Sequence, residues 1–181
     1  RENHTFTGWY ADETLTERIT EIKMNSDKTV YAGWDRTGVP DWLNGEDHFA
    51  YVIGYGDGLV RPTDSISRAE VATIFFRLLK QEIRDQYLTT ANNFTDVNEG
   101  DWYDMAVSTM TSLGILKGRT DTTFEPNAPI TRAEFAAVCA RVDTNRRNAD
   151  SNFTDIGSHW AREEIERACA LGWINGYEDG T

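Results

Sequence analysis

The spacing of hydrophobic and polar positions changes about a quarter of the way along the chain. In Phe6–Tyr10 and Thr29–Trp34, apolar and aromatic side chains alternate in the manner of β-strands around a polar middle. Residues 36–47 hold Gly, Pro, Asp and Asn, which is typical of a linker. In 48–181 the apolar residues return every three or four positions, as on one face of an α-helix. We therefore expect a small β-containing unit, a linker and a mainly helical region.

Two kinds of helix are expected in the helical region. The first kind begins at a tryptophan, Trp102 or Trp160, and ends at a glycine, Gly114 or Gly172. The second kind starts at SRAEV or TRAEF, and after SRAEV the apolar stripe continues as far as Tyr87, which predicts one long helix. These stripes are typical of a packed core rather than of a cofactor site.

One string of residues recurs three times, at intervals of about 60 positions. We therefore expect copies at 48–90, 91–149 and 150–181, the first without an obvious opening helix and the third without a second helix. A helix–loop–helix unit of this size cannot bury its apolar faces alone, so the copies should pack against each other. The matching segments are FTDV (94–97) with FTDI (153–156), SLGILKG (112–118) with ALGWING (170–176), and YGDGLVRPTDSISRAEV (55–71) with RTDTTFEPNAPITRAEF (119–135).

Charge and composition exclude several classes of function. The formal net charge of −12, with no cluster of Lys or Arg, argues against nucleic-acid binding, and its simplest interpretation is solubility. No apolar run reaches the roughly 18–20 residues of a membrane span. Because the chain starts at Arg1 and has no signal peptide, we expect it to be part of a longer protein.

The sequence carries no pattern typical of catalysis, of a metal site or of a cofactor site. GxSxG, HExxH, GxGxxG and phosphate-loop motifs are absent, and among 30 acidic residues chance pairs are certain. Cys139 and Cys169 lie in apolar helical stretches without CxxC spacing, which favours two buried thiols over a disulfide. The N-x-T matches at Asn3, Asn93 and Asn152 are interpreted as chance. We expect no enzyme, no cofactor and no metal.

The most specific local motif is [ST]-R-A-E, which occurs twice. Ser67 with Glu70, and Thr131 with Glu134, have the spacing of a capping box. In such a box the hydroxyl accepts from the third helical amide, while the glutamate accepts from the amide of the capping residue. These four residues are therefore predicted to cap helices.

The arginine of this motif has no capping role. Arg68 and Arg132 come first in their helices, where the helix dipole slightly disfavours a cation. Together with free amides at the helix start, a guanidinium could form a receptor for a carboxylate. The alternative is a salt bridge to a neighbouring acidic loop, and the sequence leaves both open.

Acidic turns and tryptophans are the remaining candidates for binding. Asp-Gly is first a turn signal, but exposed aspartates there could bind sugar hydroxyls, and their spacing does not fit an EF-hand calcium loop. The helical stripes favour a core position for each tryptophan, and the alternative is a face on which a sugar stacks. The candidate glycan-binding residues are Arg68, Arg132, Asp57, Gly58, Asp121, Asp179, Trp102 and Trp160.

The repeated string FTDV…W…LGIL.G…D..F.P…ITRAEF resembles the S-layer homology repeat of bacterial surface proteins, over about residues 48–181. The resemblance implies helix–loop–helix units packed as a pseudo-threefold spindle. It also implies binding of an anionic, often pyruvylated, secondary cell-wall polysaccharide in grooves between repeats, with the TRAE arginines taking part. This chain departs from the family in the short start of copy 1, in Thr120 and Thr122 where the family has glycines, and in the missing TRAE segment of copy 3. We expect the groove of copy 1, which keeps its glycines, to matter more for binding.

Residues 1–35, with FTGWY and DKTVYAGW, resemble the end of a Listeria–Bacteroides (internalin B-type) repeat, a small β-grasp-like module. Together the two resemblances imply a secreted protein at the cell surface that is held non-covalently to the wall. The alternative hypothesis is a protein–protein adhesion or self-assembly module. A flat, apolar, charge-depleted patch would favour that alternative.

Overall fold

The fold is mixed, with all described strands before residue 37 and all described helices after residue 67, as the change of period predicts. The computed structural model describes residues 4–22, 26–36, 39–45, 50–143 and 153–181. Arg1, Asn3, Asn152 and the expected boundaries at 47/48 and 149/150 lie outside the described residues. The elements are β1 (His4–Tyr10), β2 (Arg18–Ile19), β3 (Tyr31–Arg36), α1 (Arg68–Leu78), α2 (Gln81–Tyr87), α3 (Asp104–Ser112), α4 (Arg132–Val142) and α5 (Arg162–Ala170).

The strands form one antiparallel sheet in the order β2-β1-β3. The two alternating stretches of the sequence are its long pair, with Trp9 opposite Ala32. A bulge between Phe6 and Gly8 interrupts this pairing. On one face Phe6 makes edge-to-face contacts with Trp9 and Trp34, at centroid distances of 5.5 and 5.2 Å. The predicted strands are thus confirmed, and the two-residue β2 was not predicted.

The prediction of one long helix after SRAEV is wrong, because the chain leaves the helical conformation at Leu79 and Lys80. Both residues adopt extended backbone angles. Leu79 forms a β-bridge with Leu43, and the amide of Lys80 donates to the carbonyl of Trp42 at 2.9 Å. Leu43 and Leu79 are buried together. Part of the predicted linker therefore packs into the helical region and divides the stripe into α1 and α2.

Two apolar clusters hold the helical region together. The larger one joins α1, α3 and α4, and Phe124 is fully buried in it. The smaller one joins α4 to α5 mainly through alanines, among them Ala136 and Ala140, whose small side chains allow the two helices to approach closely. Helices that are distant in the sequence thus bury their apolar faces against one another.

Glycines fix two features of this packing. Gly114 and Gly172 have φ angles of 72° and 78° directly after α3 and α5, so both predicted helix ends are confirmed. A side chain at Gly118 would meet the ring of Phe94 at 2.5 Å. Gly118 therefore lets the FTD segment pack against the loop of its own copy. Of the helices that the structure describes, none has the length and apolarity needed to cross a bilayer.

Candidate functional site

Both [ST]-R-A-E motifs form complete capping boxes in the structure. The amide of Glu70 donates to Ser67 Oγ at 3.2 Å, and the amide of Ser67 donates to Glu70 Oε2 at 2.7 Å. Thr131 and Glu134 make the same two bonds, at 3.2 and 2.8 Å. Partial burial acts to raise the pKa of Glu70, but hydrogen bonds led by the amide of Ser67 outweigh it and lower that pKa.

Arg68 is a buried connector between copies 1 and 2. Its Nε donates to the carbonyl of Phe124 at 2.8 Å, and its Nη2 donates to the carbonyl of Lys117 at 2.8 Å. Its Nη1 forms a 2.7 Å ion pair with Glu134. Burial lowers the pKa of Arg68. Of the two roles that the sequence leaves open, the salt bridge is therefore the one this geometry displays.

The amides at the start of α1 are occupied, which differs from the free helix end that we expected. The amide of Arg68 donates to the carbonyl of Ala128, and that of Ala69 to the carbonyl of Pro126, each at 2.9 Å. The amide of Ile130 returns a bond to the carbonyl of Ile66 at 3.1 Å. The helix start of copy 1 thus docks onto the loop of copy 2, and carbonyls of that loop accept from its first two amides.

Arg132 makes the corresponding contacts toward copy 3 from an exposed position. Its Nη2 donates to the carbonyl of Asn175 at 3.1 Å, and its Nη1 donates to the hydroxyl of Tyr177 at 2.8 Å. The guanidinium also lies 4.6 Å from the centroid of the Tyr177 ring. Asn175 aligns with Lys117 in the repeat, so each TRAE arginine binds the same carbonyl of the following copy.

Two cavities of similar size are formed by equivalent residues of successive copies. Groove 1, of about 420 Å³, lies between the loop of copy 1, α1 and Trp102. Groove 2, of about 410 Å³, lies between the loop of copy 2, α4 and Trp160. The matched lining pairs, each 64 positions apart, are Val52/Leu116, Ile53/Lys117, Gly54/Gly118, Tyr55/Arg119, Ile66/Ile130, Glu70/Glu134, Thr73/Ala137, Ile74/Val138 and Arg77/Arg141.

Each groove is bordered by an exposed tryptophan, so the core position that we favoured for Trp102 and Trp160 is wrong. They are 63% and 62% exposed. Each tryptophan precedes its helix by two residues, because α3 begins at Asp104 and α5 at Arg162. The helical period therefore does not apply to either side chain, and each lies largely exposed beside its groove.

Two of the loop aspartates, Asp57 and Asp179, hold turns together. Asp57 accepts from the amide of Leu59 at 3.0 Å and pairs with Arg61 at 2.6 Å, contacts that lower the pKa of Asp57. Asp179 accepts from the hydroxyl and the amide of Thr181, and its pKa is lowered as well. The three expected loop aspartates, Asp57, Asp121 and Asp179, lie outside the lining of grooves 1 and 2, as does Gly58, which has a φ of 80°.

Several lining residues were missed by the reading of the sequence. Tyr55, Lys117 and Arg119 lie in the loops, and Arg77 and Arg141 lie in the last turns of α1 and α4. A position-by-position alignment of the copies would have found Arg77 and Arg141, because they follow the motif arginine by nine residues in both. Arg77 and Arg141 are charged, whereas most of the residues around them are apolar.

The other expected chemistry concerns the cysteines and metals. Cys139 is buried, Cys169 is half-buried, and both are free thiols. Burial raises the pKa of Cys139 to about 12. Within the described ranges, no group of three or more His, Cys, Asp or Glu side chains could hold a metal ion.

These features define a module in which the motif arginines of copies 1 and 2 bind the loop of the following copy, and in which each of these two copies contributes a loop and a helix to a groove beside a tryptophan. The chain belongs to the S-layer homology domain family, whose model matches residues 50–72, 93–136 and 152–181.

Three of its relatives carry names that refer to the cell surface, to anchoring or to the surface layer. Cell surface glycoprotein 1 of Acetivibrio thermocellus is 39% identical over 156 residues, which cover 79% of this chain and 7% of that protein. The cellulosome-anchoring protein of the same organism is 34% identical over 141 residues, covering 75% and 32%. The surface-layer 125 kDa protein of Lysinibacillus sphaericus is 35% identical over 130 residues, covering 70% and 11%.

The chain spans less than a third of the length of each of these relatives. Their names refer to the cell surface, to the surface layer and to anchoring, and the cell-surface location predicted from the sequence is thereby confirmed.

Proposed function

We propose that the helical region anchors a surface protein non-covalently to the bacterial cell wall by binding secondary cell-wall polysaccharide that carries pyruvate ketals. The observation that carries this proposal is the pair of equivalent grooves, each with an exposed tryptophan and an arginine from the last turn of its helix. An open aromatic face suits the apolar face of a sugar ring, and a guanidinium suits its hydroxyl and carboxylate oxygens. The region carries no catalytic step in this proposal.

Within this function the two motif arginines have different tasks. Arg68 holds copy 2 in place and thereby shapes groove 2, whose wall it joins. Arg132 is exposed and lines a smaller cavity of about 250 Å³ with Tyr177 and His159, where it can reach a ligand directly. The names of the relatives, an anchoring protein and surface-layer proteins, agree with a role in attachment.

Sedimentation with purified walls tests the proposal. We expect the protein to sediment with intact walls and to stay in solution with walls from which the polysaccharide has been chemically removed. Trp102→Ala and Trp160→Ala should each weaken binding about threefold to tenfold through lost stacking. Trp9→Ala, an exposed tryptophan of the sheet, is the matched control. Equal sedimentation with stripped walls would show that another wall component is the ligand.

The pseudo-threefold spindle is also part of the proposal. Leu116 and Phe124 of copy 2 are buried beneath the start of α1, whereas the aligned Val52 and Val60 of copy 1 are each 64% exposed. A third helix of the TRAE type would cover Val52 and Val60 in the way that α1 covers copy 2. Addition of a synthetic TRAE-type helix should protect the amides around Val60 from hydrogen exchange. Unchanged exchange would argue against the spindle.

Self-association is the second candidate function, and the same apolar residues favour it. Val52, Ile53, Leu59 and Val60 are 56–64% exposed and follow one another along the loop of copy 1. If this patch joins two molecules, light scattering should show a dimer that Val60→Lys dissociates. If the protein is a monomer at all concentrations, self-association through this patch is excluded.

For residues 4–36 we propose the role of an internalin B-type spacer between the anchor and the rest of a surface protein. The small antiparallel sheet supports this assignment. Deletion of this segment should leave wall sedimentation unchanged, and a loss of sedimentation on deletion would assign the sheet a share of the binding.

A further inference from the structure

Grooves 1 and 2 share a frame of three chemical groups. The glutamate of the capping box, the arginine of the last helical turn and the exposed tryptophan occur in both. In groove 2 these groups are Glu134, Arg141 and Trp160. Any difference in what the two grooves bind must therefore come from the other positions of their walls.

The loops differ in charge at two matched positions. Groove 1 has Ile53 and Tyr55 where groove 2 has Lys117 and Arg119. Including Arg68, groove 2 is lined by four cationic side chains and one carboxylate, whereas groove 1 has two of each. Pairing of Arg141 with Glu164 and of Arg119 with Glu125 still leaves groove 2 with one more cation than carboxylates. In a chain with a net charge of −12, this excess is confined to one groove.

Arg119 is placed to meet a ligand. Tyr55 donates a 2.9 Å hydrogen bond to Glu70, so the aromatic residue of groove 1 is well held. Nε of Arg119 lies 3.4 Å from both Glu125 and Glu134, at the outer limit of a hydrogen bond, and its side chain is 35% exposed. Glu134 is already bound at 2.7 Å by Arg68. Its Nη2 also donates to the carbonyl of Pro129 at 3.4 Å. Because all three contacts are long, Arg119 can turn its fork toward an anion at little energetic cost.

We propose that groove 2 selects the acidic sugar of the wall glycan, with Arg119 and Lys117 as its specificity-determining side chains, while groove 1 accepts uncharged sugar. This inference rests on the proposed function and divides it between two subsites. It also reverses the expectation that the groove of copy 1 matters more, because the wall charge, rather than the glycines of the loop, sets the preference for an anion. The ligand class of groove 2 is a glycan residue that bears a carboxylate.

Tryptophan indole signals can report on each groove separately. The protein has six tryptophans, of which Trp102 borders groove 1 and Trp160 borders groove 2. In ¹⁵N-labelled protein, Trp102→Phe and Trp160→Phe each remove one indole N–H signal and so assign the pair. The probes are the methyl glycoside of an N-acetylhexosamine with a 4,6-linked pyruvate ketal and the same glycoside without the ketal.

The charged probe should shift the Trp160 signal at lower concentrations than the Trp102 signal, and the uncharged probe should lose this preference. Arg119→Tyr, which gives groove 2 the residue of groove 1, should weaken binding of the charged probe at Trp160 about tenfold and leave Trp102 unaffected. Tyr55→Arg should strengthen binding of the same probe at Trp102. Lys28→Gln removes one positive charge in the segment before the helical region and serves as the control.

The possible outcomes separate this inference from the proposed function. If both probes shift the two signals equally, or if Arg119→Tyr leaves the Trp160 titration unchanged, the division between grooves is wrong while glycan binding stands. If neither probe shifts either signal and the protein does not sediment with intact walls, the proposed function itself is wrong. A stronger response of Trp102 than of Trp160 to the charged probe would reverse the assignment.

Discussion

Arg68→Ala should destabilise the protein far more than Arg132→Ala, although the two arginines occupy the same place in the motif. Arg68 is buried and makes three bonds of 2.7–2.8 Å with Phe124, Lys117 and Glu134. Its removal leaves two carbonyls and one carboxylate without these partners. Breaking a buried ion pair by removal of one partner costs about 3–5 kcal/mol. We expect a value near the lower end, about 3 kcal/mol, because Glu134 keeps its capping bonds.

Arg132 supplies the matched control. It is exposed, and among the described residues its guanidinium bonds to the loop of copy 3, so its truncation should cost about 0–1 kcal/mol. Arg68→Lys keeps the charge, but an ammonium group cannot reproduce the planar fork that spans three acceptors. We expect Arg68→Lys to lower the free energy of unfolding by about 2 kcal/mol, which is most of the loss expected for Arg68→Ala.

Urea denaturation followed by far-ultraviolet circular dichroism gives these free energies of unfolding directly. Since each kcal/mol moves the Tm of a chain of this size by about 2–4 °C, Arg68→Ala should melt about 6–12 °C below the parent protein. Wall sedimentation of the same variants, at a temperature where each is folded, separates stability from binding. If Arg68→Ala and Arg132→Ala melt together while only Arg68→Ala loses wall binding, Arg68 contacts the ligand and the connector role is wrong.

Three further predictions follow from single groups. Thr131→Ala should lower the free energy of unfolding by about 1 kcal/mol through loss of the capping bond, with unchanged wall sedimentation; an unchanged midpoint with lost sedimentation would make the hydroxyl a ligand contact. Because the pKa of Cys139 is about 12, a thiol reagent at about pH 8 should modify Cys169 first, and mass spectrometry that finds Cys139 modified in folded protein would contradict its burial. The pKa of Glu70 is below its ordinary 4.5, so its stabilising contribution is present above that pH and is lost as pH falls through the lowered pKa; the stability gap between parent and Glu70→Gln should therefore narrow in acid, and a gap that widens in urea titrations would refute the sign.

Local chemistry could be predicted from the sequence because its partners lie within a few residues. The hydroxyl of Thr131 and the carboxylate of Glu134 are three positions apart, and the structure contains the box that this spacing predicts. Gly114 ends α3 because the helix stop needs a positive φ at that one residue. The two long strands follow from side-chain alternation alone.

Features that depend on distant partners could not be predicted. The helix breaks at Leu79 without a proline or glycine at that point of the sequence. The cause of the break is the bridge to Leu43, 36 positions earlier. The burial of Arg68 arises from carbonyls 49 and 56 positions further on. Trp102 was misplaced for a different reason, since helical spacing was extended two residues beyond the true start of α3.

The two roles of the motif explain why specificity should lie outside it. In [ST]-R-A-E the hydroxyl and the glutamate close the helix start, and the arginine binds a backbone carbonyl of the next copy at Lys117 or Asn175. A carbonyl bond is indifferent to the side chain that bears it, so the loop residues at these positions are free to differ between copies. Two residues further along the loop, Tyr55, Arg119 and Tyr177 occupy a second variable position, and each lies beside the glutamate or the arginine of a motif. The motif therefore contributes to the frame of each groove, while the variable loop side chain sets the charge of the groove wall.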